Sequence, residues 1–161
     1  MHKRKWFALI IGLSFFSLAA VAYASTTTYF DPSELVVSVP AQPVSSIVPS
    51  GALHVPFTKF DLSARGTDII VTSITVIRVG PADDAAFEDI ELLDGDGNVL
   101  ADGSLDDDHT VEFTEPLHIP RDTTLHITVA ANMAEDLSEF DGQMSRFVVT
   151  QIAATGYVAL Q

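Results

Sequence analysis

Thr124-Leu-His-Ile-Thr-Val-Ala130 alternates between polar and apolar side chains. Successive side chains of an extended strand point to opposite faces, so Leu125, Ile127 and Val129 share one face. A face made of such residues has to be covered by a second layer of structure. The alternation therefore predicts a β-strand that is buried on one side.

Runs of the same kind lie on both sides of this stretch, separated by glycine, proline, aspartate and asparagine. They are rich in Val, Ile, Thr and Phe, which favour strands, and none keeps a helical period. Short strands with turn residues about every 8 to 12 positions are typical of two packed antiparallel sheets. We predict an all-β fold, a sandwich of about seven to nine strands, with a closed barrel as the alternative.

Two of the predicted strands contain an irregularity. In the stretch Leu53–Ala64 the apolar phase slips by one residue near Thr58-Lys59, which predicts a β-bulge. In the stretch Asp68–Val79 we predict a bend at Thr72-Ser73, where the strand would pass from one sheet to the other.

Two connections can also be assigned. Asp94-Gly-Asp-Gly-Asn98 contains the residues that a tight hairpin turn requires, because Gly and Asn adopt positive φ easily. The polar stretch 132–142 is predicted to hold one helical turn, around residues 134–137.

The first 24 residues are predicted to be a signal peptide. A basic start precedes an apolar run from Trp6 to Val21, and the small residues of Ala22-Tyr-Ala24 follow. This order is typical of a secretory signal that is cleaved after Ala24. The alternative is an uncleaved anchor, but the run is shorter than the ~20 residues that span a bilayer.

The rest of the chain divides into two parts by composition. Residues 25–48 form a leader rich in Ser, Thr, Val and Pro, with one predicted strand at Glu34–Val39. Residues 49–161 are predicted to form a single β domain. We expect an exported protein that is extracellular or at the cell surface, with no stable membrane span after cleavage.

The chain is strongly acidic, with 22 acidic and 8 basic residues. Three of the basic residues lie in the predicted signal peptide, so the mature chain carries 5 against 22, a net charge of −17. Basic residues so few and so scattered cannot neutralise a phosphate backbone, which excludes nucleic acid as a partner. The acidity itself is typical of a soluble exported domain.

The chain contains no cysteine. Disulfides and thiolate metal sites are therefore excluded, and the fold has to be stabilised by packing. Because exported eukaryotic domains often carry disulfides, the absence of cysteine favours a bacterial or archaeal source.

One loop offers oxygen ligands at alternate positions. Asp94, Asp96 and Asn98, followed by Asp102, resemble the opening of a calcium loop and are the candidate metal ligands. The glycine and the glutamate that complete such a loop are each replaced by an apolar residue. A hairpin turn explains the same residues, so calcium is an alternative, and no other cofactor is expected.

The remaining polar residues favour no catalytic site. The acids at Asp83-Asp84 and at Asp106–Asp108 could gather with the first loop, or they could be solvated loop tips. His109, His118 and His126 do not have the spacing of a zinc site. There is no Gly-x-Ser-x-Gly motif for nucleophilic catalysis. We assign no catalytic residue and expect a protein that is not an enzyme.

Several stretches of the chain together resemble a known family. They are Val55-Pro-Phe-Thr-Lys-Phe-Asp-Leu-Ser-Ala-Arg-Gly-Thr-Asp-Ile-Ile-Val-Thr-Ser-Ile-Thr-Val76, Phe87-Glu-Asp-Ile-Glu-Leu-Leu-Asp-Gly95, Leu100-Ala-Asp-Gly103, Val111-Glu-Phe113, Leu117-His-Ile-Pro-Arg-Asp-Thr-Thr-Leu-His-Ile-Thr-Val129 and Ile152-Ala-Ala-Thr-Gly156. Over residues 42–156 the chain resembles the immunoglobulin-like β-sandwich modules of bacterial cell-surface and S-layer-associated proteins of the candidate-phyla type. The resemblance implies an immunoglobulin-like fold and a structural, adhesive or spacer role outside the cell, with no active site.

Three functions remain open, with a secreted hydrolase as a fourth option that no motif supports. The first is a non-enzymatic structural or adhesion module whose partners are other envelope or surface proteins, or further copies of itself. The second is a subunit of a pilus-like fibre, in which Glu34–Val39 adds to an open sheet edge of a neighbour. The third is a calcium-dependent module that binds a ligand such as a carbohydrate.

Overall fold

A computed structural model of the protein describes residues 34–157, with the side chain of Tyr157 excepted. The predicted signal peptide and the first part of the leader lie outside these residues. No helix in the described range is long and apolar enough to cross a membrane.

Nine β-strands make up most of the described chain. They are β1 (Glu34–Ser38), β2 (Val55–Arg65), β3 (Asp68–Val79), β4 (Phe87–Leu93), β5 (Val99–Gly103), β6 (Thr110–Phe113), β7 (Leu117–Ile119), β8 (Thr124–Met133) and β9 (Arg146–Tyr157). Two single 3₁₀ turns, Asp84–Ala86 and Ser138–Phe140, lie in the connections before β4 and after β8. The predicted all-β class and strand number are confirmed.

The strands form two antiparallel sheets. Sheet A has the order β1-β2-β8-β4-β5. In sheet B, β3 pairs with β9 along one edge and with β6 and β7 in turn along the other. Within residues 34–157 the strands therefore form two sheets with free outer strands and not a closed barrel.

One apolar core lies between the sheets. It takes alternate residues from β2, β4 and β8 of sheet A and from β3, β6 and β7 of sheet B, among them Phe60, Leu62, Ile69, Val71, Ile74, Val76, Ile90, Leu92, Val111, Phe113, Ile119, Ile127 and Val129. On β8, Ile127 and Val129 are fully buried while His126 is exposed, as the alternation predicts. Each fully buried side chain of this kind contributes roughly 1.5–3 kcal/mol.

The predicted leader strand is part of sheet A. It forms β1 and pairs with β2 from Glu34 opposite Arg65 to Ser38 opposite Asp61. Its bounds confirm the prediction to within one residue. The leader is therefore not separate from the β domain, because it supplies an edge strand.

A side chain continues this pairing where the backbone cannot. Continuing the β1 register would place Pro40 opposite Lys59, and proline has no N–H to donate. The side-chain amide of Gln42 replaces the backbone hydrogen bonds that would otherwise be made opposite Lys59. It donates to the carbonyl of Lys59 at 2.8 Å and accepts the N–H of Lys59 at 2.9 Å.

Both predicted irregularities are present, but one was interpreted wrongly. The register of β2 shifts between Pro56 and Thr58, close to the predicted bulge. The register of β3 shifts between Val71 and Ser73, yet β3 pairs with β9 on both sides of the shift and stays in sheet B. What changes there is the partner on its other edge, from β7 to β6.

The connection between β8 and β9 also differs from the prediction. Its helical turn lies at Ser138–Phe140 and not at residues 134–137. Asp136 explains the shift, because its carboxylate accepts the N–H of Ser138 at 2.9 Å and so stabilises a turn that begins later.

Candidate functional site

The predicted calcium loop is the hairpin turn between β4 and β5, and Asp94 holds it together. Oδ1 of Asp94 accepts the backbone N–H groups of Asp96 and Asn98, both at 2.9 Å. Oδ2 accepts the side-chain amide of Asn98 at 2.9 Å. The hydrogen bond from the Asn98 side chain, followed by those from the backbone, holds the pKa of Asp94 below its ordinary value of 3.8. Both oxygens of Asp94 are thus engaged in the turn.

Asn98 belongs to this hydrogen-bonded turn, whereas the carboxylates of the other two candidate calcium ligands, Asp96 and Asp102, lie outside it. Asp96 is exposed at the tip of the turn, and Asp102 is exposed on β5, opposite Glu91 in the register. Among the side chains that the structure describes, no three of His, Asp or Glu are grouped closely enough to hold a metal ion. The predicted calcium set remains a prediction.

The other acidic loops use their carboxylates in the same way. Oδ1 of Asp106 accepts the backbone N–H groups of Asp108 and Thr110, at 2.9 and 2.8 Å. Asp83 accepts the N–H of Ala85 at 3.0 Å and so caps the first 3₁₀ turn. These acids are therefore explained by local turn chemistry.

Arg78 lies near the end of β3 and is buried, with a side chain that is 4% exposed. Its Nε donates to Oδ1 of Asp84, and its Nη1 donates to the carbonyl of Gly80 at 3.2 Å. The ring of His109 donates through Nδ1 to the other oxygen of Asp84, because a carboxylate only accepts. Asp84 thus connects a buried guanidinium to a partly exposed imidazole.

The charge of Asp84 is maintained by these partners. Burial raises the pKa of its carboxyl, but the hydrogen bonds from Arg78 and His109 outweigh that effect and hold the pKa below its ordinary value of 3.8. The charged form of Asp84 is therefore the one that the folded state stabilises.

A second buried charge lies on the outward face of sheet A. The side chain of Glu91 is 8% exposed, although Ile90 and Leu92 on either side of it point into the core. Oε2 of Glu91 lies 2.6 Å from Nδ1 of His54, and Oε1 accepts the side-chain amide of Asn132 at 3.0 Å. The oxygen of the Asn132 side chain accepts the N–H of His54 at 3.0 Å.

This ring of hydrogen bonds fixes His54 in an unusual conformation. Its φ is +53°, which is costly for a residue other than glycine. Both its backbone N–H and its ring are held, and its side chain is 48% exposed. The imidazole of His54 therefore covers the buried carboxylate of Glu91. The hydrogen bonds also hold the start of β2 against the outer face of sheet A.

Every histidine in the described range contacts a carboxylate. Besides His54 and His109, His118 lies 3.4 Å from Asp68 and His126 lies 2.8 Å from Asp61. The last two are mostly exposed, as predicted from their strand positions. Each of the four histidines contacts a different acid, and in this arrangement none shares a metal site with another.

A cleft of about 590 Å³ lies between the leader, the start of β2 and the β8–β9 connection. Its lining is mixed. The apolar residues include Val44, Ile47, Val48, Val55, Phe57, Phe87, Met133, Leu137, Phe140 and Met144, and the polar ones include Gln42, Ser45, Ser46, Asp141, Gln143 and Arg146. At its base the rings of Phe57, Phe87 and Phe147 pack edge to face, with centroids 5.0–5.8 Å apart.

Gly80 fixes one wall of the cleft. Its φ is +116°, and a Cβ at this position would lie 2.7 Å from the carbonyl oxygen of Met144. Only glycine allows the β8–β9 connection to approach so closely. In the same wall the Ser145 hydroxyl is buried and has no hydrogen-bond partner in the described part of the chain.

Three side chains at the cleft are both apolar and exposed. Val44 is 88% exposed, Ile47 100% and Met144 69%. We call these three residues the cleft patch. All three line the same cleft, and exposed apolar side chains that are grouped in one place indicate an interaction site more strongly than single scattered ones do.

Comparisons of the chain with protein-family models, with curated proteins and with solved structures each found no match. The functional proposal therefore rests on the residues and geometry of the described chain.

Sequence reasoning missed two of these features. The Glu91 and His54 pair is 37 positions apart in the chain, and only the register of sheet A brings the two together. The cleft is assembled from the leader, β2 and the β8–β9 connection, and no local motif marks it. One signal was available, because Glu91 interrupts an apolar strand and a charge there has to find a partner.

Asp84→Asn is expected to lower the free energy of unfolding at neutral pH by about 3–5 kcal/mol, because the buried charge of Arg78 loses its partner. The folded-state pKa of Asp84 is depressed, so its contribution is present above pH 3.8 and is lost as the pH falls through the folded value. The deficit of the variant should therefore shrink in acid. Urea unfolding across the pH range checks this, with Asp107→Asn as an exposed control, and a deficit that is equally large in acid would contradict it.

The calcium alternative predicts that calcium binds at the β4–β5 turn. Asp96→Asn and Asp102→Asn each remove a charged ligand and leave the hydrogen bonds of Asp94 in place, so each should weaken calcium binding by about tenfold. Glu112→Gln, on β6, is the control. Calorimetric titration measures the affinities, and the alternative fails if the unaltered protein takes up no calcium.

Proposed function

We propose that this chain is a non-enzymatic structural or adhesion module of the immunoglobulin-like β-sandwich type, exported by a signal peptide at residues 1–24. It would act outside the cell by binding another envelope or surface protein. The observation that carries the proposal is the cleft patch, an exposed apolar surface on an otherwise acidic molecule. The two packed sheets serve as a rigid support for it.

The distribution of exposed apolar side chains supports this proposal. Of the eight large apolar residues that are exposed in the described chain, five lie between Val37 and Leu53, and two of these, Val44 and Ile47, line the cleft together with Met144. Scattered exposed residues need no explanation, but a group in one segment does. The leader and the cleft together are therefore the best candidate for a binding surface.

The chemistry of the surface favours a protein partner. Apolar side chains at the cleft are accompanied by polar and charged residues, among them Ser45, Asp141 and Arg146, and protein interfaces combine an apolar centre with a polar rim. A net charge of −17 on the mature chain opposes binding to nucleic acid and to anionic lipid. We therefore take an extended segment of another protein as the partner that would occupy the cleft.

Val44→Asp is expected to weaken binding of the mature protein to isolated cell envelopes by about tenfold, because it places a charge in the apolar centre of the surface. Val99→Asp is the matched control, since Val99 is also exposed but lies on β5, away from the cleft. Co-sedimentation with envelopes measures the affinities, and thermal unfolding verifies that both variants are folded.

Two results would contradict this proposal. One is the absence of envelope binding by the unaltered mature protein. The other is an equal loss of binding in both variants, which would point to charge alone and not to the cleft patch.

The fibre alternative is favoured by one observation, the position of β1 at the edge of sheet A. The strand pairs with β2 alone in the described structure, and it reaches β2 along the chain through the proline-containing segment 39–54. In a fibre, β1 of one copy would occupy the same edge of β2 in a neighbour, which is strand exchange between identical chains.

Removing residues 25–38 tests the fibre alternative. Polymers of the mature protein, seen by electron microscopy, should disappear, because the donated strand is absent while Gln42 and the cleft remain. A synthetic peptide of residues 31–41 should then raise the unfolding temperature of the truncated protein. Polymers that persist without the strand would contradict the alternative, and so would a peptide without effect.

A further inference from the structure

The two sheets have four outer edges, and three of them are protected against pairing. Their strands β1, β5, β6 and β7 have five, five, four and three residues. Strands β1, β5 and β6 each contain an acid, namely Glu34, Asp102 and Glu112, and β7, which shares an edge of sheet B with β6, is flanked by Pro116 and Pro120. Short edge strands, charges and prolines are the means by which natural sheets avoid adding a further strand.

The fourth edge, β9, lacks this protection. It has 12 residues, Arg146–Tyr157, and contains no acid and no proline. Within the described chain it pairs with β3 and with no other strand. An outer strand presents every second pair of backbone N–H and C=O groups to the outside. Twelve residues with a single charge, Arg146, therefore offer a long template for another strand.

The open part of β9 is its second half. Near its start, the carbonyl of Phe147 accepts the hydroxyl of Thr58 from sheet A at 2.5 Å. A register shift then leaves Thr150 outside the residue pairing with β3, and its hydroxyl donates instead to the carbonyl of Thr75 at 3.3 Å. From Gln151 to Tyr157 the strand carries no charge, and Ala154, Thr155 and Gly156 are exposed.

We propose that the second half of β9 pairs antiparallel with β9 of a second copy of this chain. A two-fold axis requires the same strand on both sides, running in opposite directions. With the axis near Ala154, Ala153 faces Thr155 of the second copy and Ile152 faces its Gly156, so no like charges meet. If β5, the edge strand of sheet A, paired with its own copy about a two-fold axis, the Asp102 carboxylates of the two copies would come close together and repel each other. Sheet B becomes continuous through the dimer, and the assembly closes at two copies.

The charge of the chain makes this dimer dependent on salt. Each mature copy carries a net charge of −17, so two copies repel each other at low ionic strength. Added salt screens the repulsion and leaves the backbone pairing largely unaffected. Dimerisation should therefore strengthen as salt is raised.

The test is the oligomeric state of the mature protein by sedimentation velocity. We expect a monomer–dimer equilibrium that shifts toward the dimer at higher salt. Thr155→Asp should raise the dissociation constant about tenfold, because it places acids next to the axis. Thr114→Asp is the control, since it is exposed in the connection between β6 and β7.

A cysteine scan fixes the register and stays informative if Thr155→Asp misfolds. The chain has no cysteine of its own, so single cysteines at positions 152–156 report only on contacts between copies. Oxidative cross-linking should be fastest at the position nearest the axis and should fall off on both sides of it, whereas Thr114→Cys should react slowly.

Three results would overturn the proposal. They are a monomer at every concentration and salt, a dimer that Thr155→Asp leaves unchanged, and cross-linking that is no faster along β9 than at position 114. A dimer that Val44→Asp disrupts and Thr155→Asp does not would belong to the cleft patch instead. Envelope binding through the cleft patch is measured separately, so either proposal can fail without the other.

Discussion

The apolar contact between sheet A and sheet B is the interaction on which the rest of the molecule depends. With no cysteine in the chain, packing has to hold the two sheets together. Because one side of every strand is committed to the core, a register slip of one residue would turn apolar side chains toward water. The fixed register in turn places Glu91 beside His54 and Asn132, and the burial of β3 places the guanidinium of Arg78 where Asp84 reaches it from the next connection. The polar clusters are thus consequences of the core.

The predictable part of the fold is the part that depends on neighbours in the chain. Alternation in Thr124–Ala130 was sufficient to predict β8, and the glycines of residues 94–98 were sufficient to predict the hairpin. The bend in β3 was located correctly but interpreted wrongly, since only its pairing with β9 shows which sheet it belongs to. The cleft and the open edge of β9 could not be predicted either, because both are defined by strands that are distant in sequence.

The acidic residues show how one composition supports two interpretations. Asp94 and Asp106 are followed by further acids, which suggested ligand loops, yet each accepts two backbone N–H groups of its own turn. A carboxylate is well suited to both tasks, and the sequence alone cannot separate them. The charges that remain exposed keep the surface acidic, and against that background β9 and the cleft patch differ from the rest of the molecule.

The hydrogen bonds of Gln42 affect which sequences the leader segment after β1 can accept. Its amide replaces a peptide group opposite Lys59, so the backbone of the segment after β1 does not need to follow a strand. That segment can therefore tolerate proline and changes of length, provided that one amide reaches Lys59. Val48, farther along, packs against the core, so only the exposed part of the cleft wall, residues 44–47, can change in sequence without altering the pairing of sheet A.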